Sequence, residues 1–260
     1  MDGRSSSVWK TAIVPTDYFG ERVAEGYDES LGEMADPAVV EPTVDFLVGL
    51  AGDGAALELG IGTGRIALPL VARGVRVHGI DLSEAMVAKL REKPGAEAIA
   101  VTIGDFATTK VGDTFSLAYL VFNTIMNLTT QDEQVACFEN AAAHLEPGGR
   151  FVIEVVVPAL RLLPPGERIH VFSFRGPTQF GFDEYDVVNQ GLVSHHYGER
   201  GDGSLGRSSI PFRYAWPAEL DLMASIAGMR LRERWSGWKR EPFASDSTKH
   251  ISVWQKHQPG

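Results

Sequence analysis

The feature that most limits the fold is Leu57-Glu58-Leu59-Gly60-Ile61-Gly62-Thr63-Gly64-Arg65, an apolar strand that breaks into alternating glycines and resumes as a helix. Glycine at a strand-to-helix turn lets backbone approach a ligand lying across the strand ends, where a Cβ would take its space. Asp81 closes the following strand about twenty residues on, where a carboxylate can accept both hydroxyls of a ribose. Glycines so spaced also suit an ordinary tight turn, but Asp81 and the surrounding βαβ pattern point to a nucleoside-type ligand.

The rest of the chain continues that rhythm. Strands are expected at Ala55 to Leu59, Val75 to Ile80, Glu97 to Ile103, Phe115 to Phe122 and Arg150 to Val157, with helices at Arg65 to Ala72, Ser83 to Lys93 and Gln131 to Leu145. Alternation of this kind is that of a parallel sheet with crossover helices. After Pro158 the punctuation changes to closely spaced glycines and prolines among Phe, Tyr, Val and His, which reads as antiparallel hairpins. Four strands are expected there, from Ile169, Gly181, Leu192 and Ser208, before a helix at Ala218 to Ala227 and two closing strands from Met229 and His250. The expected organisation is residues 1–157 as cap helices and ligand-binding core, 158–215 as a β-rich lid insertion, and 216–260 as the return to the core. Residues 1 to about 15 read as a loose terminus.

Composition narrows the partners. Lys and Arg number 24 against 34 Asp and Glu, a net charge of −10, so the chain gains little from the counterion release that drives nucleic-acid binding. One cysteine, Cys137, excludes an internal disulfide and a thiolate-rich metal site. No signal-like or membrane-spanning apolar run is visible. The expectation is a cytoplasmic protein with no nucleic acid, no membrane and no metal.

Two cofactor classes fit a glycine turn followed by an acid. A nicotinamide dinucleotide turn reads G-x-G-x-x-G and leaves the helix N-terminus open to a pyrophosphate. Here the third glycine comes one residue early, and Glu58 stands two residues before the first. A carboxylate there would repel a pyrophosphate but attract the ammonium of a methionine moiety. The pattern suits S-adenosylmethionine.

Residues 57 to 65 with Asp81 resemble the class I S-adenosylmethionine-dependent methyltransferases. Gly104-Asp105-Phe106 is similar to their adenine-binding element, Leu82 and Met86 stand where residues pack on adenine and ribose, and Phe122-Asn123-Thr124 resembles the segment beside the methionine part. Leu145-Glu146-Pro147-Gly148-Gly149 is like the turn into the fifth strand, so the likeness covers about residues 55 to 157. It implies an α/β, Rossmann-like, doubly wound seven-stranded sheet of order 3-2-1-4-5-7-6, here with a small antiparallel β insertion after the fifth strand. Cofactor-binding residues implied are Tyr27, Glu58, Gly60, Gly62, Gly64, Arg65, Asp81, Leu82, Met86, Gly104, Asp105, Phe106, Phe122 and Asn123. The likeness in the insertion and tail is to small-molecule enzymes, including those that tailor natural products. The fourth strand lacks the Asn/Asp-Pro-Pro-Tyr/Phe signature of amino-methylating nucleic-acid enzymes.

Methyl transfer is an in-line displacement at an already activated carbon, so the protein supplies orientation, water exclusion and a base where the acceptor must lose a proton. The candidates for that base are His195 and His196. Neighbours on a strand point to opposite faces, so at most one of them points inward; the competing reading is a pair of surface or structurally bonded histidines. Tyr18, Phe19 and Tyr27 are similar to aromatic elements that close over the methionine end, or simply pack a cap helix. Arg65 could meet the cofactor carboxylate, pair with Glu58, or stand exposed. Asn127, Arg213, Tyr214 and Trp238 are the acceptor-site candidates, though aromatic and basic residues near a lid also form the seam between lid and core.

The expected function is transfer of a methyl group from S-adenosylmethionine, leaving S-adenosylhomocysteine, to O or N of a small molecule. The alternatives are a protein or nucleic-acid methyltransferase, or a non-catalytic S-adenosylmethionine-binding regulator. The aromatic lid also offers a contact surface for a homodimer.

Overall fold

The structure is a computed structural model that describes residues 17–199 and 203–258; residues 1–16, with the loose terminus expected there, lie outside the described residues. Short helices α1 (Glu21–Ala24) and α2 (Tyr27–Leu31) lead to α3 (Pro37–Ala51). Asp36 caps α3 by accepting the Ala38 N–H at 2.7 Å, with Pro37 in the first turn. Val40, Val44, Leu47 and Ala51 then form one buried stripe.

The core runs β1 (Ala55–Leu59), α4 (Ala67–Ala72), β2 (Arg76–Asp81), α5 (Glu84–Arg91), β3 (Ala100–Ile103), β4 (Phe115–Leu120), α6 (Gln131–His144) and β5 (Leu145–Val156). Helix α4 starts two residues later than expected because Gly62 and Gly64, both at positive φ, spend residues 61 to 66 on the turn. Strand β3 starts later too, a 3₁₀ turn at Ala96–Ala98 replacing its first residues. Strand β4 stops before Phe122, since Phe122 (φ 59°) and Asn123 (φ 64°) swing the chain out of the sheet. Ser83 caps α5, and Thr130 with Glu133 forms a reciprocal capping box on α6.

After β5 the chain enters a separate antiparallel meander: β6 (Ile169–Phe174), β7 (Phe180–Asp186), β8 (Gly191–Glu199) and β9 (Leu205–Arg213). Helix α7 (Pro217–Ile226) and strands β10 (Met229–Trp235) and β11 (Lys249–Lys256) return it to the main sheet. The order of that sheet is β3-β2-β1-β4-β5-β11-β10, with β11 antiparallel to both neighbours. Counting the two closing strands as sixth and seventh gives the expected 3-2-1-4-5-7-6.

Alternation sends neighbouring strand residues to two cores. Leu57, Phe151 and Trp254 pack with Phe138 of α6 on one face, while Ala56, Leu117 and Val152 meet Leu47 of α3 and Leu70 of α4 on the other. The rings of Phe138, Phe151 and Trp254 form a tight set, Phe138 standing 5.1 Å and 5.3 Å from the other two. Each such buried side chain contributes roughly 1.5–3 kcal/mol relative to exposure.

The meander is tied down at its root. Buried Arg213 donates to Gln134 Oε1 at 2.6 Å and to Glu219 Oε1 at 2.7 Å. Gln134 in turn donates to the carbonyls of Ile125, Leu128 and Arg213, and Gln190 donates to Glu219. The network joins the last lid strand to α6 and α7, and so holds the lid over the carboxyl ends of β1 and β4.

Candidate functional site

The glycine turn builds the floor of the site. Gly60, Gly62 and Gly64 all have φ between 55° and 79°, a region that only glycine adopts without strain. A Cβ on Gly60 would come within 2.6 Å of Thr124 Cγ2, and one on Gly64 within 2.3 Å of Leu90 Cδ1. Gly62 meets only the tip of Met86, at 3.4 Å, and faces open space. Gly64 thus serves the packing of the turn on α5 and lines neither of the two cavities described below.

Asp81 stands at the end of β2 beside this floor. Its carboxylate accepts the Gly62 N–H at 2.6 Å and the Ser83 N–H at 2.9 Å, and burial raises its pKa against those two bonds. Two oxygens carry about four lone-pair sites, so both can still accept a hydroxyl. Asp81, Leu82, Met86, Asp105, Phe106, Tyr18 and Asn127 line one pocket of about 140 Å³. Asp105 there accepts the Ala107 N–H at 2.8 Å. Gly104 does not reach the pocket; a Cβ on it would strike Thr109 Oγ1 at 2.2 Å, so its glycine serves the turn.

A second, larger cavity of about 650 Å³ opens from the same floor, sharing Phe19, Tyr27, Gly60, Gly62, Thr124 and Asn127 with the first. Glu58 lines it, 3% exposed, accepting the Tyr119 hydroxyl at 2.9 Å. Burial pushes the Glu58 carboxyl up to about 8, against the lowering effects of Tyr119 and the Arg65 charge. Arg65 donates to the Met34 carbonyl at 3.1 Å and lies 5.0 Å over the Phe122 ring. Tyr27 meets both cavities, its ring edge-on to Phe19 and its hydroxyl pKa raised by burial. The cap is clamped to the glycine turn by Asp28, which accepts from Thr63 at 2.6 Å and pairs with Lys93 at 2.5 Å.

Phe122 and Asn123 close one wall in left-handed backbone, which costs free energy and persists only where surroundings over-determine it. Glu154 supplies the restraint: its Oε2 accepts the Phe122 N–H at 3.1 Å, while Oε1 accepts from Trp238 at 3.1 Å and Lys249 at 2.9 Å. Asn123 Oδ1 accepts the Val156 N–H at 2.8 Å. Sequence reading missed Glu154, although a lone acid within Phe151-Val152-Ile153-Glu154-Val155-Val156 is a visible signal.

The lid supplies the roof. His196 lines the larger cavity; Ser194 Oγ lies 3.2 Å from its Nε2, and burial lowers its pKa against the raising effect of Asp183. His195 turns to the opposite face, where Ser209 lies 2.8 Å from Nδ1 and Phe182 packs at 4.8 Å. Of the expected pair, His196 lines this cavity and His195 does not. Three of the acceptor-site candidates take the other reading, the seam between lid and core. Arg213 is the lid's buried anchor, Tyr214 packs on Tyr185 at 5.5 Å, and Trp238 packs on Phe46 at 5.4 Å while bonding Glu154. Their residue types matched a stacking pocket, but their side chains point into the seam. Phe172, Asp183, Leu192 and Phe212 line the roof and were not singled out from sequence. Among the described residues no three His, Cys, Asp or Glu side chains gather as metal ligands, and no helix is long and apolar enough to cross a membrane.

Comparison with known proteins places this geometry. The family described as "Methyltransferase domain" matches residues 56–149. An uncharacterized methyltransferase of Geobacillus sp. (strain WCH70) is 38% identical over 86 residues, 33% of this chain, and the chain spans 38% of that relative's length. The CcbJ methyltransferase of Streptomyces caelestis is 36% identical, with a TM-score of 0.82, over 92% of this chain and 98% of that one. S-adenosylmethionine-bound CalS10, an amino pentose methyltransferase of Micromonospora echinaspora, shares the fold with a TM-score of 0.67 at 21% identity, over 88% of this chain and 96% of that one. With a turn that exposes Gly62, an acid at Asp81 and a relative alike along nearly its whole length, the chain belongs to the S-adenosylmethionine-dependent methyltransferases, whose cofactor is S-adenosylmethionine.

Proposed function

We propose that this protein transfers a methyl group from S-adenosylmethionine to a nitrogen or oxygen of a small molecule bound beneath the lid. The observation that carries the reading is the 650 Å³ cavity, whose floor is the glycine turn with Glu58 and Arg65 and whose roof is the inner face of the lid. The residues present suit the cofactor. Buried Glu58, protonated below about pH 8, is the kind of acid that a ligand ammonium would ionise; Asp81 keeps lone pairs for ribose hydroxyls, and Asp105 stands in the adjoining pocket with Leu82, Met86 and Phe106 for the base.

When bound, the cofactor supplies a methyl group already activated by its sulfonium charge. The chain's own part is to orient the partners, exclude water and take up a proton. Thr124 and Asn127 line both cavities and mark where the two ligands would meet. His196, on the roof, is the proton acceptor. A net charge of −10 and a roofed cavity favour a small molecule over nucleic acid. The test is incubation with methyl-labelled S-adenosylmethionine and a fractionated bacterial metabolite extract. Label in a discrete small molecule supports the reading; tight cofactor binding with label in protein, in nucleic acid or nowhere overturns it.

A further inference from the structure

The inner face of the lid is ruled into three ladder rows. Tyr185, Leu192 and Phe212 pair across β7, β8 and β9 at the root; His170, Asp183, Ser194 and Ile210 form the middle row; Gly181, His196 and Ser208 form the outer one. Phe172 enters through the register shift between Val171 and Ser173, and its ring fills the space beside Gly181, where a Cβ would lie 2.3 Å from it. The lining is therefore mostly aliphatic, aromatic or hydroxyl.

Asp183 is the carboxylate that the lid contributes to this lining. Ser194 hydrogen-bonds it, and His170, His196 and His195 stand close enough to act on its charge. Among the described residues no lysine or arginine comes within ion-pair distance of it, whereas Glu184 and Glu219 on the same lid and its root each have an arginine. Arg65, the guanidinium of the cavity, is taken up by the Met34 carbonyl and the Phe122 ring. A carboxylate facing an apolar enclosure is costly to ionise without a cation, and this one has only a hydroxyl and imidazoles.

We propose that Asp183 recognises an ammonium group on the methyl acceptor, which is therefore an aliphatic amine with an apolar body, a substrate class that rests on the methyltransferase reading above. The amine arrives protonated, as alkylammonium groups are at neutral pH, and pairs with Asp183. One N–H proton passes to the neutral imidazole of His196 on the neighbouring strand, two positions beyond Ser194, the ladder partner of Asp183, and on the same face. The freed nitrogen lone pair forms the new C–N bond, and the electron pair of the broken S–C bond stays on sulfur. The product leaves as an N-methylammonium, and His196 returns its proton to solvent. Ammonium plus sulfonium thus give N-methylammonium, thioether and one proton. A carboxylate or phosphate in that place would meet like charge, and an alcohol would leave Asp183 without a cation.

Three ligands of one shape test this: cyclohexylamine, cyclohexanol and cyclohexanecarboxylate, titrated calorimetrically into the whole protein saturated with S-adenosylhomocysteine. The amine is expected to bind at least tenfold more tightly than the alcohol, and the carboxylate not to bind. Asp183→Asn should bring the amine down to the level of the alcohol, Asp183→Glu should keep the preference, and both should hold S-adenosylhomocysteine as wild type does. An amine that fails to bind, binds like the alcohol, or keeps its preference in Asp183→Asn overturns the proposal alone. Failure of S-adenosylhomocysteine to bind the wild-type protein removes the methyltransferase reading and this proposal together.

Discussion

Tyr119 and Glu58 face each other across the parallel pair β1–β4, Cα partners in register, and the phenol donates to the carboxyl Oε2 at 2.9 Å with both side chains out of water. Burial raises the acid to about 8. A ligand ammonium beside it favours the ionised form, so cofactor binding at pH 7 should release close to one proton, and none above about pH 9. Calorimetry in buffers of different ionisation enthalpy reads that number directly. Tyr119→Phe removes a donor to the charged form and should weaken cofactor binding by roughly tenfold, the size of one charge-assisted hydrogen bond.

The same acid sets a pH dependence of folding. Its folded pKa lies above the ordinary value of 4.5, so the native state holds the proton more tightly than the unfolded chain does. The cost of Glu58 is absent below about pH 4.5, grows as pH rises towards 8 and is then constant. Glu58→Gln should therefore be more stable than wild type at pH 8, by on the order of a few kcal/mol, while losing affinity for the cofactor. Urea unfolding at pH 5 and pH 8 checks the sign.

Glu219 works in the opposite direction. Burial alone would raise its carboxyl, but hydrogen bonds from Arg213, Gln190 and Gln131 together hold it below the usual range. Its contribution is present above the unfolded pKa and lost as pH falls through the folded one, in the acid range below about 4.5. Arg213→Ala leaves this carboxylate without its main partner and should destabilise the protein by about 3–5 kcal/mol. Circular dichroism during thermal unfolding would show that loss; an Arg213→Ala protein as stable as wild type would remove the anchor role.

Asp81→Ala should weaken S-adenosylmethionine binding by about two to four orders of magnitude, since two hydroxyl bonds to a charged acceptor are each worth about 1.5–3 kcal/mol. The fold should survive, because the Gly62 and Ser83 amides it leaves lie at a solvent-facing cavity. Equilibrium dialysis measures the first statement and chemical denaturation the second.

His196→Ala should lower turnover by about 10²–10⁴, as removal of a positioned base does. His195→Ala should leave turnover nearly unchanged, since that ring is packed on Phe182 on the far face. Burial holds His196 below the ordinary histidine value, so the imidazole is neutral at pH 7 and the rate should fall only on moving into more acid solution. A pH–rate profile that is the same in wild type and His196→Ala would exclude the role.

What could be read in the chain and what could not follows from how far each signal reaches. The glycine turn, Asp81 and the strand rhythm are local, so the sheet and most of the residues that line the floor of the two cavities were legible in order. Alternation also showed that His195 and His196 must separate, but not which one faces inward, because that depends on where the lid docks. Arg213, Tyr214 and Trp238 suit either an acceptor pocket or the lid–core seam by residue type, and which of the two they take depends on partners 79, 29 and 84 positions away in the chain: Gln134, Tyr185 and Glu154. Phe172 was hidden by a bulge, which shifts the facing of a strand without a mark in its composition.

The two faces of the meander carry separate duties. Phe180 stacks on Tyr197 at 4.5 Å and Phe182 packs at a tilt on His195 at 4.8 Å on the outer side, while the rows with Leu192, Ser194 and His196 look inward. A substitution on an inward position changes what the roof touches without disturbing the ring ladder that keeps the roof folded. Descendants of such a chain can therefore drift from one acceptor to another by single inward changes, each tested by selection on an intact scaffold, so the lid is where relatives of this protein should diverge first.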